Sequence, residues 1–392
     1  MPIVGVICEY NPLHLGHQRQ LSHMRGLAGP EGAVVCLMSG SYVQRGEPAL
    51  LSKERRACAA IDCGADLVLE LPLTASLSSA EGFAAAGVGW LGRLGIDILC
   101  FGCETGDAQS LMDTASQLLS PDFDRALRKA LARGVSFPAA RQAALEALGG
   151  SGALLLRPND ILAVDYCKAL LRSGGSMHAA PLFRPGDYHG TEADPQAPSA
   201  TALRALALAG QDWLSYVPPA ARSAFTGAAM HTLAAGERAV LGRLRTMADE
   251  EFAVLPFGSE GLWYKFMKNC RRCGSVEEIL TATKSKRYTR TRLNRMLLCA
   301  LLGISREALA ARAPYLRVLA LDRRGGALVR LARAGGVPLV NAGAAQDGPY
   351  AALERRGEEY YALFAQGQPE PPGRLDRSRV YAPKEAHHAE IP

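Results

Sequence analysis

The strongest constraint on the fold is an alternation in the first half of the chain. As far as about Ala205, short runs rich in Val, Ile and Leu ("IVGVIC", "AVVCLMSG", "LVLELP", "DILCFGCE") alternate with longer amphipathic stretches such as "HLGHQRQLSHMRGL" and "KERRACAAIDCGA". Unbroken apolar runs of that length suit strands covered on both faces, as in a parallel sheet. The repeated strand–helix order predicts an α/β fold with a doubly wound parallel sheet.

Past about Gly210 the pattern becomes mostly helical, in "SAFTGAAMHTLAAGERAVLGRLRTMA", "GLWYKFMKNCRRCGSVEEILTATKSK" and "TRTRLNRMLLCALLGI". A later stretch, "YLRVLALDRRGGALVRLARAGGVPLVN", reads as strand, helix, strand and as a small appended unit. At roughly 100 to 200 residues per domain, 392 residues imply two or three domains. The division expected is a sheet domain over 1–205, a mainly helical region with the small α/β unit over 206–345, and a C-terminal segment over 346–392. The Pro-rich, charged end, "GQPEPPGRLDRSRVYAPKEAHHAEIP", is expected to be mobile.

Composition excludes several classes. Hydrophobic residues make up 48% and aromatics 6%, which is globular rather than disordered or fibrous. No stretch approaches the ~18 apolar residues of a membrane span, and the first apolar run, Pro2 to Cys8, is short and followed at once by a polar motif. No membrane association and a cytoplasmic location are therefore expected. Ten cysteines are scattered without a secreted disulfide framework. Cys100 with Cys103 in "CFGC" and Cys270 with Cys273 in "CRRC" would make a zinc site only if the pairs converged; buried thiols, and no bound metal, are expected instead.

Ligands of an open parallel sheet bind outside the carboxyl ends of its strands. The first strand ends near Cys8 and the next helix starts near His14, so "EYNPLHLGH", Glu9 to His17, occupies that edge. A helix start offers unpaired N–H groups and a partial positive charge, which suit a phosphate. His14 and His17, at i and i+3, share one side of the first turn. Gly16 removes a side chain between them, which lets a base or phosphate approach the backbone. Two histidines there could equally cap the helix. A second element, "SATALR", places Ser199 and Thr201 at another helix start, where hydroxyls and N–H groups could hold outer phosphates and Arg204 could neutralise departing pyrophosphate. Read alone it is an ordinary helix cap.

"HLGH" followed by "SATALR" resembles the paired signatures of the HIGH-type nucleotidylyltransferase superfamily, whose members attack the α-phosphate of ATP and release pyrophosphate. More narrowly, "GVICEYNPLHLGH", "MSGSYVQRGEPALLSK", "GADLVLELP", "FGCETGD", "RPNDILAVDY" and "TKSKRYTRTRLNRMLLCALLGI" resemble the bacterial tRNA(Met) cytidine acetate ligase family, in order along the chain to about Val340. The resemblance implies a Rossmann-like ATP-binding domain over 1–205 and a tRNA-binding region over 206–345. It implies ATP, with Mg²⁺, as substrate, and acetate and elongator tRNA(Met) as the other partners. Acetate attacks the α-phosphate to give acetyl-adenylate, and the wobble cytidine then takes the acetyl group as N4-acetylcytidine. Carried onto this chain, the ATP loop is Ile7, Cys8, Glu9, Tyr10, Asn11, Pro12, Leu13, His14, Leu15, Gly16, His17, Gln18, Arg19 and Gln20, with further contacts from Gly102, Asn159 and Arg184. Gly102 ends an apparent strand, where a side chain would obstruct the ligand. Asn159 can both donate and accept, as base or ribose recognition requires.

Acetate is already ionised at neutral pH, so the first step needs positioning and charge stabilisation, for which His14 and His17 are natural donors. In "SGSYVQRGEPALLSK", Ser39, Gly40 and Ser41 are expected beside the nucleotide loop, with Arg45 and Lys53 supplying positive charge near the anionic acceptor. Arg45 would help hold acetate or stabilise the acyl phosphate, unless it forms a salt bridge to Glu47 or Glu54. The stripe "KSKRYTRTRLNR" carries Lys284, Lys286, Arg287, Arg290, Arg292 and Arg295 with Tyr288 interleaved and no acidic residue. Such a stripe binds RNA phosphates and an unpaired base, or is simply a solvated helix face. Lys265, Lys268, Arg271 and Arg272 would extend it. Two other readings compete. An adenylyltransferase acting on a small phosphorylated metabolite leaves the helical half unexplained, and a non-catalytic RNA-binding protein has no need of both signatures together.

Overall fold

The structure, a computed structural model, describes residues 1–184 and 198–383. The chain runs β1 (Ile3–Cys8), α1 (Leu15–Ala28), β2 (Ala33–Ser39), the two-residue strands β3 (Tyr42–Val43) and β4 (Glu47–Pro48), α2 (Lys53–Asp62), β5 (Leu67–Leu71), α3 (Leu73–Ser76), α4 (Ala80–Arg93) and β6 (Ile98–Cys103). Next come α5 (Ala108–Leu118), α6 (Pro121–Leu131), α7 (Phe137–Glu146), α8 (Pro158–Ser173), β7 (His178–Phe183) and α9 (Ala200–Leu208).

β1, β2 and β5 are buried almost throughout, and their apolar side chains feed cores on both faces of the sheet. Strand order is β7-β6-β1-β2-β5, all parallel. From β1 the chain builds outward to β2 and β5, then returns to β6 on the other side. The order therefore reverses between β1 and β6, and a crevice opens at the carboxyl ends of those two strands.

The second half supplies α10 (Pro219–Phe225), α11 (Glu237–Thr246), α12 (Asp249–Ala253), α13 (Leu262–Cys270), α14 (Val276–Thr283), α15 (Arg290–Leu302) and α16 (Arg306–Ala310). α15 is the axis of a separate apolar core, buried continuously from Leu293 to Leu302. There follow β8 (Leu316–Leu321), α17 (Arg323–Ala334), β9 (Leu339–Asn341), α18 (Pro349–Ala362) and α19 (Arg374–Arg377).

Two expectations are corrected here. The strand–helix–strand stretch is not an appended unit: β8 pairs with β5, and β9 with β8, extending the main sheet to seven strands. The β5–β8 pairing is antiparallel, so the sheet is mostly rather than wholly parallel. The Pro-rich end is also not loose as far as Pro383. Arg374 pairs with Glu54, Glu358 and Glu370, Ser378 donates to Glu54, and Tyr381 bridges to Ala320 of β8. Residues 384–392 lie outside the described residues.

Among the described residues no helix is long and apolar enough to cross a membrane. All ten cysteines are free, and Cys100 and Cys103 pack into cores on opposite faces of β6. No three His, Cys, Asp or Glu side chains converge as a metal cluster among the described residues.

Candidate functional site

A cleft of about 260 Å³ lies at the β1/β6 crevice. Its floor is Ile7, Cys8 and Glu9 from the end of β1 and Phe101 and Gly102 from β6; α8 adds Asn159 and Tyr166, and the β3–β4 turn adds Gln44 and Arg45. The start of α9 closes it with Thr201 and Arg204. The elements expected at the strand ends thus meet around one opening.

The chain leaves β1 through Tyr10, whose backbone is left-handed (φ 46°), an uncommon conformation for a residue with a Cβ. Arg56 holds that loop. Its guanidinium is fully buried and donates to the carbonyls of Glu9 (2.6 Å), Ser39 (3.0 Å), Leu51 (2.9 Å) and Gly40. This ties the ends of β1 and β2 together and keeps Ser39 and Gly40 beside the loop. Asn11 is fixed at both ends, its side chain accepting from Leu50 N (2.7 Å) and its carbonyl from Arg204 Nη1 (2.9 Å).

His14 is the N-cap of α1. Its Nδ1 accepts from Gly16 N (3.1 Å), while His17 Nδ1 accepts from His14 N (3.3 Å) in a reciprocal capping box. The rings stack with centroids 3.8 Å apart. Burial, with Arg184 and Arg19 nearby, pushes His14 down to about 3; burial, His14 and Arg184 hold His17 well below the ordinary range. Both imidazoles are therefore neutral at pH 7. With each Nδ1 spent as an acceptor, the proton sits on Nε2. His14 Nε2 is buried with no hydrogen-bond partner among the described residues, whereas His17 lines the cleft.

The glycines act through side chains. A Cβ on Gly16 would come within 2.9 Å of the His14 ring, so the glycine makes room for the cap itself. A Cβ on Gly102 would overlap Arg184 Cδ, so that glycine lets the arginine lie across the strand end.

Of the loop residues, Ile7, Cys8, Glu9, Tyr10, Asn11, His17 and Gln20 line the cleft. The others do not. Pro12 and Leu13 are buried, Leu13 in the core; Leu15 and Gly16 belong to the turn, Gln18 donates to Cys63 O, and Arg19 is exposed. Ser199 caps α9 through Ala202 N (3.0 Å), behind Thr201 and Arg204. Arg184 and Arg45 both line the cleft. Asn159 spends one amide donor on Glu104 (2.7 Å).

Lys53 does not reach the cleft: it is buried between Glu70 and Glu358, at 2.9 Å from each. Glu54, a competitor for Arg45, pairs with Arg374. Within the basic stripe, Lys284 and Lys286 are exposed, Arg287 is exposed but pairs with Glu260, Arg290 pairs with Glu277, Arg292 donates to Phe257 O (2.7 Å), and Arg295 is buried and donates to Gln44 O (3.1 Å). Tyr288 is half-buried beneath Arg292. Lys268 lies over the Tyr264 ring, and Arg271 pairs with Asp249.

The family described as HIGH nucleotidyl transferase matches residues 1–372. The tRNA(Met) cytidine acetate ligase of Alkaliphilus metalliredigens is 35% identical over 364 residues, covering 85% of each chain; that of Kosmotoga olearia is 34% identical, covering 87% of this chain and 85% of its own. The chain belongs to the tRNA(Met) cytidine acetate ligase family. The crystal structure of apo Thermotoga maritima TmcAL superposes with a TM-score of 0.88 at 27% identity, over 97% of this chain and 100% of that one. A second structure of that protein, bound with alpha-thio ATP, gives 0.85 at 26% identity, over 98% and 100%.

Sequence reasoning missed Arg56, Gln44, Glu47 and Tyr166. All four lie within stretches already quoted, but nothing in "KERRACAA" distinguishes a buried arginine from a solvated one.

Proposed function

We propose that the protein is an ATP-dependent ligase that adenylates acetate and transfers the acetyl group to N4 of the wobble cytidine of elongator tRNA(Met). Acetate oxygen attacks the α-phosphorus and pyrophosphate leaves; the cytidine N4 then attacks the acetyl carbon and AMP leaves. Membership of the ligase family carries the choice of acetate and tRNA, and the neutral, Nδ1-anchored His14–His17 pair at the switch-point crevice carries the adenylation step. A neutral Nε2–H donor positioned before the reaction stabilises charge developing on phosphate oxygens without reorganising.

In this reading His17 donates directly and His14 fixes its ring. Arg184, Arg45 and Arg204 supply the positive field for triphosphate, acetate and pyrophosphate, and Thr201 and the α9 amides capped by Ser199 meet outer phosphates. Asn159 and the Gly102 strand end face the nucleoside. The cleft's carboxylates are Glu9 and Glu47, in a lining that also carries cations, amides, hydroxyls and a neutral imidazole, and Mg²⁺ would enter with ATP as the substrate salt. Residues 1–205 supply the nucleotide chemistry, and exposed Lys284, Lys286 and Arg287 of the 206–345 region contact tRNA phosphate. The protein works in the cytoplasm, where its substrates are.

Acetate-dependent exchange of labelled pyrophosphate into ATP tests the first step. Exchange that requires acetate supports the ligase; exchange driven instead by a nucleotide monophosphate contradicts it.

A further inference from the structure

A second cavity, of about 320 Å³, lies beside the cleft, and Glu47 and Arg204 line both. Its size falls at the lower end of small-ligand pockets, roughly 300 to 1,000 Å³. Aliphatic side chains of Leu50, Leu233 and Leu280 offer flat apolar contact, while Asn294, Glu277 and Arg290 supply polar groups. Arg290 belongs to the basic stripe, so the stripe runs to the rim of this cavity.

Asn294 is held in one orientation at the cavity wall. It is 7% exposed, and its Oδ1 accepts from Arg290 Nε (3.0 Å), which fixes the amide orientation. Its Nδ2 makes no hydrogen bond among the described residues, and as Asn294 lines the cavity this donor is open to an acceptor there. Glu47 in the shared wall has no ion pair among the described residues. Arg204 beside it is anchored on Asn11 O and Thr201.

We infer that this cavity is the subsite for the acceptor base, a single unstacked cytosine of the RNA, and that acyl transfer takes place across the Glu47–Arg204 wall. The inference rests on the ligase reading above. An unstacked base is recognised by apolar contact on its faces and hydrogen bonds to its Watson–Crick edge. Asn294 Nδ2 donates to the ring acceptors O2 or N3, leaving N4 toward the wall. In the transfer step the N4–C bond forms, the acyl C–O bond to AMP breaks, and the N4 proton passes to the Glu47 carboxylate. Arg204 balances charge on the departing phosphate.

The test separates the half-reactions in the full chain. Asn294→Ala removes the donor, and Ala234→Trp fills the cavity mouth from an exposed position that leaves the core untouched. For both, acetate-dependent pyrophosphate exchange is expected within about threefold of the unaltered protein, while acetyl transfer to tRNA(Met) falls at least tenfold. Glu47→Gln is expected to lower transfer by roughly 10²-fold or more beyond any change in exchange. Unchanged transfer in Ala234→Trp, or parallel losses of both half-reactions in all three, overturns the subsite. Absence of acetate-dependent exchange in the unaltered protein overturns the ligase reading and this inference with it.

Discussion

The imidazoles of His14 and His17 stack 3.8 Å apart, and each gives its Nδ1 to a backbone amide of the same helical turn. That arrangement assigns the tautomer of both rings before any ligand arrives. In ¹⁵N-labelled protein, two of the eight histidines are expected to show neutral Nε2–H tautomers that persist well below the ordinary imidazole range, His14 down toward pH 3. His14→Gln and His17→Gln should each remove one such signal. Signals all titrating near pH 6.5 would contradict the arrangement.

The same pair sets an acid limit on stability. His14 has an ordinary value of 6.5 in the unfolded chain and about 3 when folded, so the unfolded chain binds more protons below pH 6.5. Its contribution is fully present above 6.5 and is lost as pH falls toward 3. Denaturant midpoints should drop across that window, less steeply in His14→Gln.

Arg56 is expected to govern the loop. Arg56→Met strands four carbonyls and should cost roughly 3 to 5 kcal/mol, by analogy with other broken buried ionic or hydrogen-bonded sites. Arg56→Lys cannot span four acceptors at once and should recover only part. The readouts are the unfolding free energy and ATP affinity, which should fall together.

Gly102→Ala is a local probe. The added methyl displaces Arg184, which lines the cleft, without entering the apolar core. The expected outcome is a KM for ATP raised roughly tenfold, equivalent to about one charge-assisted hydrogen bond, with a melting temperature within a few degrees. A large stability loss with unchanged KM would show that the glycine serves packing alone.

Much of the candidate cleft was legible because its signals are local. A helix start after an apolar strand, with histidines at i and i+3, specifies a capped turn whatever surrounds it, and "SATALR" does the same for α9. What stayed hidden depends on distant partners. Lys53 reads as a helix-start cation, yet Glu70 and Glu358 neutralise it from β5 and α18. The periodicity of "LRVLAL" marks a strand but carries no direction, so its antiparallel pairing with β5 could not be read. Likewise, Pro and charge around Arg374 suggested a loose end because its three carboxylate partners are up to 320 residues away. In the basic stripe, composition counted six cations, but Glu260, Glu277, Phe257 O and Gln44 O occupy four of them, leaving Lys284 and Lys286.

Those occupied cations sharpen the RNA prediction. Lys284→Ala and Lys286→Ala together should weaken tRNA binding and reduce the dependence of log affinity on log salt by about 0.7 to 0.9 for each phosphate that is no longer neutralised. ATP–pyrophosphate exchange should be unaffected. An unchanged salt slope would exclude these two lysines from the RNA surface.

The most direct test of the central claim is acetylation of elongator tRNA(Met) by the purified protein, given ATP and radiolabelled acetate, with nucleoside analysis of the product. Label in N4-acetylcytidine at the wobble position, reduced roughly 10² to 10³-fold in His17→Ala, is the predicted result. No label on the tRNA, or undiminished label with His17→Ala, would contradict the account.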